Sequence, residues 1–390
     1  MEKVHNREHI AELSAPSRAT KNGKTPSSGT VTRVLQITSY PPPRAGWGMR
    51  VYFLKKAMEA EGDVCEVLNI GKSRFLTGRD FIPVFSGWDY VKKVFRYRLN
   101  GYKIHMHLNG DSPKGFILTL LAEWISLLTF HRPILTFHAG PVQIYFPREK
   151  APWLTPMYKF IFGVARAIIC NNQAVKEKIM SYGISGEKIH PIQAFSRQYL
   201  EFEEQRLAPE LERLFQNHHP VIASYLFFRP VFRVRDLLEG FARFRSRYPQ
   251  ARLVIMGDAR PEDQQLAEYA GEMMDLLDEL GLRDAVYFTG DLDHDCFLTV
   301  LKRATVYLRT HIKDGVCSSV LEALSLGTPV VAVDNGIRPP GVLTYADGDV
   351  DQLVGQLEKA VSGGEEIRRT LPRPEIPDTV AQEVALLRQM

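Results

Sequence analysis

The chain has 390 residues, 45% apolar and 24% charged, which is too long for one ordinary core and too apolar for a disordered chain. Its four cysteines, Cys65, Cys170, Cys296 and Cys317, include no C-x-x-C pair, which argues against a disulfide framework or a zinc site and for a reducing compartment. The net charge of +4 is unevenly spread: residues 1–200 hold 28 Lys and Arg against 14 Asp and Glu (+14), and the remaining 21 and 31 leave residues 201–390 at −10.

Residues 1–30 are charged and rich in Ser, Thr, Ala and Lys, with no apolar stretch of the signal-peptide kind, and read as a disordered tail. The chain then alternates short apolar runs with longer amphipathic ones. Arg33–Thr38 predicts a strand, Met49–Ala60 a helix stopped by Gly62, and Val64–Ile70 the next strand. Lys103–Leu108, Ile134–Phe137 and Ala167–Cys170 are further strands, the last followed by a helix over Ala174–Tyr182. The longest apolar run, Gly115–Phe130, is interrupted by Glu123 and falls short of a membrane span, so it reads as a buried helix or an interfacial segment.

The alternation breaks over the charged stretch Ser196–His219 and restarts at Val221–Phe227. Helices follow over Asp236–Arg247, Glu262–Leu280, His294–Arg303 and Val320–Leu326. They are interleaved with strands over Arg252–Met256, Ala285–Thr289, Thr305–Leu308 and Pro329–Val333. A last helix is predicted over Thr379–Gln389. Alternation of this kind means parallel, doubly wound sheets. The division predicted is a first domain over 31–200, a linker over 201–219 and a second domain over 220–370. Residues 371–390 would pack back on the first domain. Two such domains in series make a cleft at the C-terminal ends of their strands.

The strongest chemical signal is the run from Asp314 to Ala332. A strand ends near Leu308, and a loop leads to a helix starting at Ser318 or Ser319, whose free N–H groups offer a diphosphate site. Two carboxylates flank that start, Asp314 in the loop and Glu322 in the helix. Gly315 allows close approach of a ligand. Ser319 and Glu322 also satisfy a capping box, in which Glu322 would serve only the helix start. His138 ends a strand that faces the cleft. His105, His107 and nearby Asp111 raise a metal site only weakly, and Asp291-Leu292-Asp293 reads as a solvated loop with an N-cap aspartate.

Ser318-Ser319-Val320-Leu321-Glu322-Ala323-Leu324 through Gly327-Thr328-Pro329 resembles the E-x7-E segment of glycosyltransferase family 4, the large GT-B group of retaining enzymes. Val254–Asp258, Leu280-Gly281-Leu282 with Val286–Gly290, Gly46-Trp47-Gly48 and Thr136–Gly140 resemble further family segments in the same order. The resemblance implies a GT-B fold: two Rossmann-like domains facing a cleft. Asp314 stands where most members have Glu. A branch with Asp there is similar in carrying Arg309, Asp314-Gly315 and Arg338-Pro339-Pro340-Gly341. The family's diphosphate-gripping Arg and Lys-Gly segment is not intact, and Arg229 with Arg233 or Arg235 would substitute.

The resemblance implies transfer of a hexose from a UDP- or GDP-sugar to a lipid-linked or polysaccharide acceptor. Glu322 would bind ribose hydroxyls. The helix start at Cys317, Ser318 and Ser319, with the arginines, would neutralise the diphosphate. Asp314 would hold sugar hydroxyls, Gly46 and Gly315 would let backbone approach, and His138 would contact the sugar from the first domain. No cofactor and no metal are implied. The basic first half suggests an anionic membrane surface, and no nucleic-acid module appears. The expected location is cytoplasmic, peripheral on the inner membrane face. A non-catalytic sugar-nucleotide binder and a nucleotide-sugar epimerase on the same fold remain alternatives.

Overall fold

A computed structural model describes residues 31–41, 46–76, 80–138, 143–257, 264–313 and 317–390. In the first domain the strands are β1 (Arg33–Thr38), β2 (Val64–Asn69), β3 (Lys103–Leu108), β4 (Ile134–Phe137), β5 (Ala167–Cys170) and β6 (Ile189–Pro191). Its helices are α1 (Gly46–Ala60), α2 (Gly87–Leu99), α3 (Pro113–Leu128), α4 (Thr155–Val164) and α5 (Gln173–Met180). The strands pair in parallel in the order β2-β1-β3-β4-β5-β6. They are short and continuously apolar because helices cover both faces: β4 and β5 are buried at every position. Leu35, Ile37 and Phe137 meet α2 to α5 on one face, while Val34 and Ile169 meet α1 on the other.

Helix α6 (Pro209–Asn217) leads into the second sheet, built from β7 (Val221–Tyr225), β8 (Arg252–Met256), β9 (Val286–Gly290), β10 (Val306–Arg309), β11 (Val330–Val333) and β12 (Leu343–Tyr345). Its helices are α7 (Val234–Arg247), α8 (Gln264–Glu279), α9 (His294–Arg303), α10 (Ser318–Ser325), α11 (Val350–Ser362) and α12 (Gly364–Thr370). The parallel order is β12-β11-β10-β7-β8-β9. Strand order therefore reverses beside β1 in one sheet and beside β7 in the other. Such reversals open a crevice at the strands' C-terminal ends, and the two crevices face each other.

The chain finally returns to the first domain as α13 (Thr379–Gln389), whose Val380, Val384 and Leu387 pack with Leu54 and Met58 of α1. Arg50 of α1, 3% exposed, secures this return. Its guanidinium donates to Glu383 Oε2, Thr379 Oγ1 (2.5 Å) and the carbonyls of Gln193 (3.1 Å) and Ala194 (3.0 Å). Arg388 adds a 2.7 Å bond to Asp63. No helix among the described residues is long and apolar enough to cross a membrane.

The run Gly115–Phe130 is a helix, but not a wholly buried one. Phe116, Thr119, Ala122, Glu123, Ile125 and Ser126 face the core, whereas Ile117, Trp124, Leu128 and Phe130 face out.

Candidate functional site

The reversal beside β7 puts Tyr225, at the end of β7, next to Arg309, at the end of β10. Above them lies a cavity of about 340 Å³, whose lining includes Tyr225, Phe232, Gly257, Arg309, Cys317, Ser318, Ser319 and Glu322. Gly257 sits at φ +114°, where a Cβ would come within 2.4 Å of the Leu226 carbonyl, so only glycine closes β8 here. The opposite wall is Met49 in the first turn of α1, which packs with Leu321 of α10 through Phe195 and Tyr199. Thus the N-terminal turns of α1 and α10, one from each domain, meet at the cavity. A helix start carries N–H groups that have no partner within the helix, and the positive end of its dipole. Gly46 opens α1, one turn before Met49. A second, wider cavity of about 1040 Å³ shares Met49 and His294 and is lined by Tyr52, Phe53, Lys56, Glu201 and Asp293.

Helix α10 starts at Ser318 with Cys317 as its cap residue, so Ser319 is not the cap. The Ser319 hydroxyl instead accepts from Tyr307 Oη at 2.6 Å. The capping-box reading of Glu322 is therefore corrected. Glu322 is 4% exposed, and its side chain makes no hydrogen bond or ion pair with the described residues. Burial alone pushes its carboxyl up to about 8. A buried acceptor pair with no donor among the described residues suits a ligand that brings its own hydroxyls.

The arginines divide differently from the sequence expectation. Arg309, 6% exposed, lines the cavity. Its guanidinium lies 5.2 Å from the Phe232 ring centroid and donates to the Tyr225 carbonyl at 2.6 Å. Arg233 is engaged elsewhere, by a two-point bond to Asp347 (2.7 and 2.5 Å) on the half-exposed surface. Arg235 pairs with Glu239 at 3.6 Å. Arg229 sits 5.7 Å from the Phe227 ring centroid and is not part of the described cavity wall. In the sequence Arg309 stands out only as part of a motif. Its place in the cavity depends on β7 lying beside β10, which local pattern does not reveal. Asp314 and Gly315 lie outside the described residues.

His138 follows β4 and is 5% exposed. The β3–β4 register stacks its ring on His107, centroids 5.2 Å apart, and His105 stacks on His107 at 4.5 Å. Gln36 Oε1, an acceptor only, lies 2.8 Å from His107 Nε2, which assigns the proton to that nitrogen. His107 Nδ1 must then accept from His138 Nε2–H at 2.9 Å. His105 is bonded to Thr136 Oγ1 at 2.7 Å. Burial, aided by the neighbouring ring and Arg50, holds all three well below the usual histidine range, His105 at about 3. They are neutral at physiological pH. Among the described residues no group of three or more His, Cys, Asp or Glu side chains could hold a metal ion. Asp111 is instead occupied by the Ile144 N–H at 2.8 Å. Asp293 caps α9 through the Cys296 N–H at 2.8 Å.

Together these features form a deep slot at a sheet switch point, with aromatic rings, one buried cation, one buried carboxyl and two converging helix starts. That is the recognition chemistry of a nucleoside diphosphate: a planar base, a diol and two phosphates. Known proteins carry the same architecture. Residues 212–370 match the family model described as glycosyl transferases group 1. A glycosyltransferase of Methanocaldococcus jannaschii is 26% identical over 220 residues, covering 54% of this chain and 50% of that protein. The lipopolysaccharide 1,6-galactosyltransferase of Salmonella typhimurium is 26% identical over 208 residues, covering 49% and 51%. The chain spans about half the length of these curated relatives. Anabaena HepE, solved in complex with UDP and glucose, superposes with a TM-score of 0.61 at 16% identity, over 92% of this chain and 97% of that one. The fold is thus the two-domain GT-B fold, and residues 212–370 of its second domain are similar to the glycosyl transferases group 1 family.

Proposed function

We propose that the protein transfers a hexose from a UDP- or GDP-sugar to a lipid-linked or polysaccharide acceptor, with retention at the anomeric carbon. The observation that carries this reading is the switch-point cavity, where Glu322, Arg309 and the start of α10 face the start of α1. Glu322 accepts from the ribose hydroxyls. Arg309 and the N–H groups of Cys317, Ser318 and Ser319 take the diphosphate and stabilise the charge that grows as it leaves. Asp314 holds hydroxyls of the sugar, Gly46 and Gly315 allow backbone to approach it, and His138 contacts it from the first domain. Neutral His138 suits a contact with sugar hydroxyls better than with phosphate.

Departure and attack then occur on the same face of the sugar. The leaving diphosphate takes the acceptor's proton, and neither a cofactor nor a metal takes part. The UDP and glucose bound to HepE, and the lipopolysaccharide named as the substrate class of the Salmonella relative, support donor and acceptor classes of this kind. We place the enzyme in the cytoplasm, against the inner face of the membrane.

The test is a panel of UDP- and GDP-sugars with lipid-linked and soluble glycan acceptors, followed by nucleotide release and the anomeric configuration of the product. Transfer with retention is expected from one donor. Tight nucleotide binding without turnover would mark a binding protein instead. A donor isomerised without acceptor would mark an epimerase.

A further inference from the structure

Helices α2 and α3 of the first domain each turn a line of large apolar side chains outward. On α2 these are Trp88, Phe95 and Leu99, and on α3 Ile117, Trp124 and Leu128. Both sets are spaced i, i+7, i+11. At 3.6 residues per turn those positions fall within a sector of about 40°, so each set is a single stripe roughly 16 Å long. The two helices cover the same sheet face and pack against each other, and both connect parallel strands, so the stripes run side by side. Trp124 stacks on Phe160 of α4 at 5.7 Å, which extends the surface across a third helix. Phe130, just past α3, is 97% exposed. Surface helices of globular proteins normally turn polar residues to water, and a continuous outward apolar strip marks an interaction site.

The charges on this face have one sign. Lys92, Arg96, Lys114 and Lys159 are exposed on these helices. The two acidic residues on these helices are neutralised: Asp89 is bound to Lys93 at 2.8 Å, and Glu123 is buried on the inner side of α3, where burial pushes its carboxyl up to about 9. The Lys92 ammonium lies over the Trp88 ring, 5.5 Å from its centroid, so a cation sits on the apolar stripe itself. Tryptophans flanked by lysines are the composition of a membrane interface. A second copy of the chain suits the face less well, because a two-fold pairing would set these cations against their own counterparts.

We infer that the outer face of α2, α3 and α4 seats the protein on an anionic phospholipid surface. Trp88, Trp124, Leu128 and Phe130 enter the interfacial layer, and Lys92, Arg96 and Lys159 meet headgroup phosphates. The inference deepens the membrane placement proposed above and rests on it, but it is read without any sugar nucleotide, so it can fail while the donor assignment holds, and the reverse.

The experiment is co-sedimentation of the full chain with phosphatidylglycerol–phosphatidylcholine vesicles and with phosphatidylcholine alone, at physiological and at high ionic strength. The expected result is binding to the anionic vesicles that high salt weakens. The variant W124S/L128S/F130S should lower partitioning by at least about tenfold, since each large side chain lifted from an apolar layer is worth that factor. The variant K92E/R96E, altered only at exposed charges, should do likewise for anionic vesicles. Both should keep the wild-type melting temperature. No vesicle binding by the wild type, equal binding by K92E/R96E, or a face that instead drives self-association or capture of an acidic soluble protein would overturn the inference.

Discussion

Changing Glu322 to Gln separates a ribose-binding carboxylate from a merely buried one. Nothing among the described residues neutralises this group, and burial raises its pKa from 4.5 to about 8. At 1.36 kcal/mol per tenfold change in proton affinity, ionising it costs the folded state on the order of 5 kcal/mol. The folded value lies above the unfolded one, so the carboxyl's contribution is complete below pH 4.5, declines as pH rises and is lost above about 8. Glu322→Gln should therefore flatten the fall in stability between those limits and melt higher than wild type at alkaline pH. Ribose hydroxyls donate to the ionised form, so nucleotide binding should expel a proton. Affinity for UDP or GDP should then rise with pH by up to roughly tenfold per unit as pH approaches 8. Isothermal titration in two buffers of different ionisation enthalpy counts that proton. The Gln variant should bind more weakly and release none. If it binds equally well with the same proton release, the ribose role is refuted.

Arg309→Ala should weaken nucleoside-diphosphate binding by about 1.5–3 kcal/mol, the value of a charge-assisted contact, with Arg309→Lys intermediate. Arg233→Ala, which loses only a half-exposed bond to Asp347, should change affinity or stability by less than about 1 kcal/mol in the same titrations. Arg50→Met should lower stability by about 3–5 kcal/mol by stranding buried Glu383 under α13, seen as a lower urea midpoint with nucleotide affinity retained. His105, His107 and His138 take up protons only on unfolding. The stability they contribute should be present above about pH 6.5 and fall as pH drops through the window toward 3, with a smaller drop in His105→Asn, measured as urea midpoints at neutral and acid pH.

Elements with a local signature were legible in the sequence. His294–Arg303 and Thr379–Gln389 were read to the residue, because Asp293 and Asp378 cap them by accepting from the N–H three positions on. Strands buried on both faces announced themselves as apolar runs. Helix α2 did not, because Trp88, Phe95 and Leu99 outside and Tyr90 and Val94 inside blur its 3.6-residue period. Strands β6 and β12 have three residues each, too few for any pattern. Helix α11 was missed although Asp349 caps it and Leu353, Leu357 and Ala360 mark its inner face, a signal that sufficed to find it.

In the site, Glu322 and the start of α10 were legible because helix entry and carboxylate lie within five residues. The Arg309–Tyr225 neighbourhood and the His107–His138 bond join residues 84 and 31 apart. Only strand order and register bring such pairs together, and neither is written in local spacing.

The most direct test is a crystal structure of the protein with UDP or GDP bound. The ribose hydroxyls should lie within hydrogen-bond distance of the Glu322 carboxylate, the diphosphate between Arg309 and the first turn of α10, and the start of α1 should face it. A nucleotide bound elsewhere, or bound in this cavity with its ribose turned away from Glu322, would contradict the account.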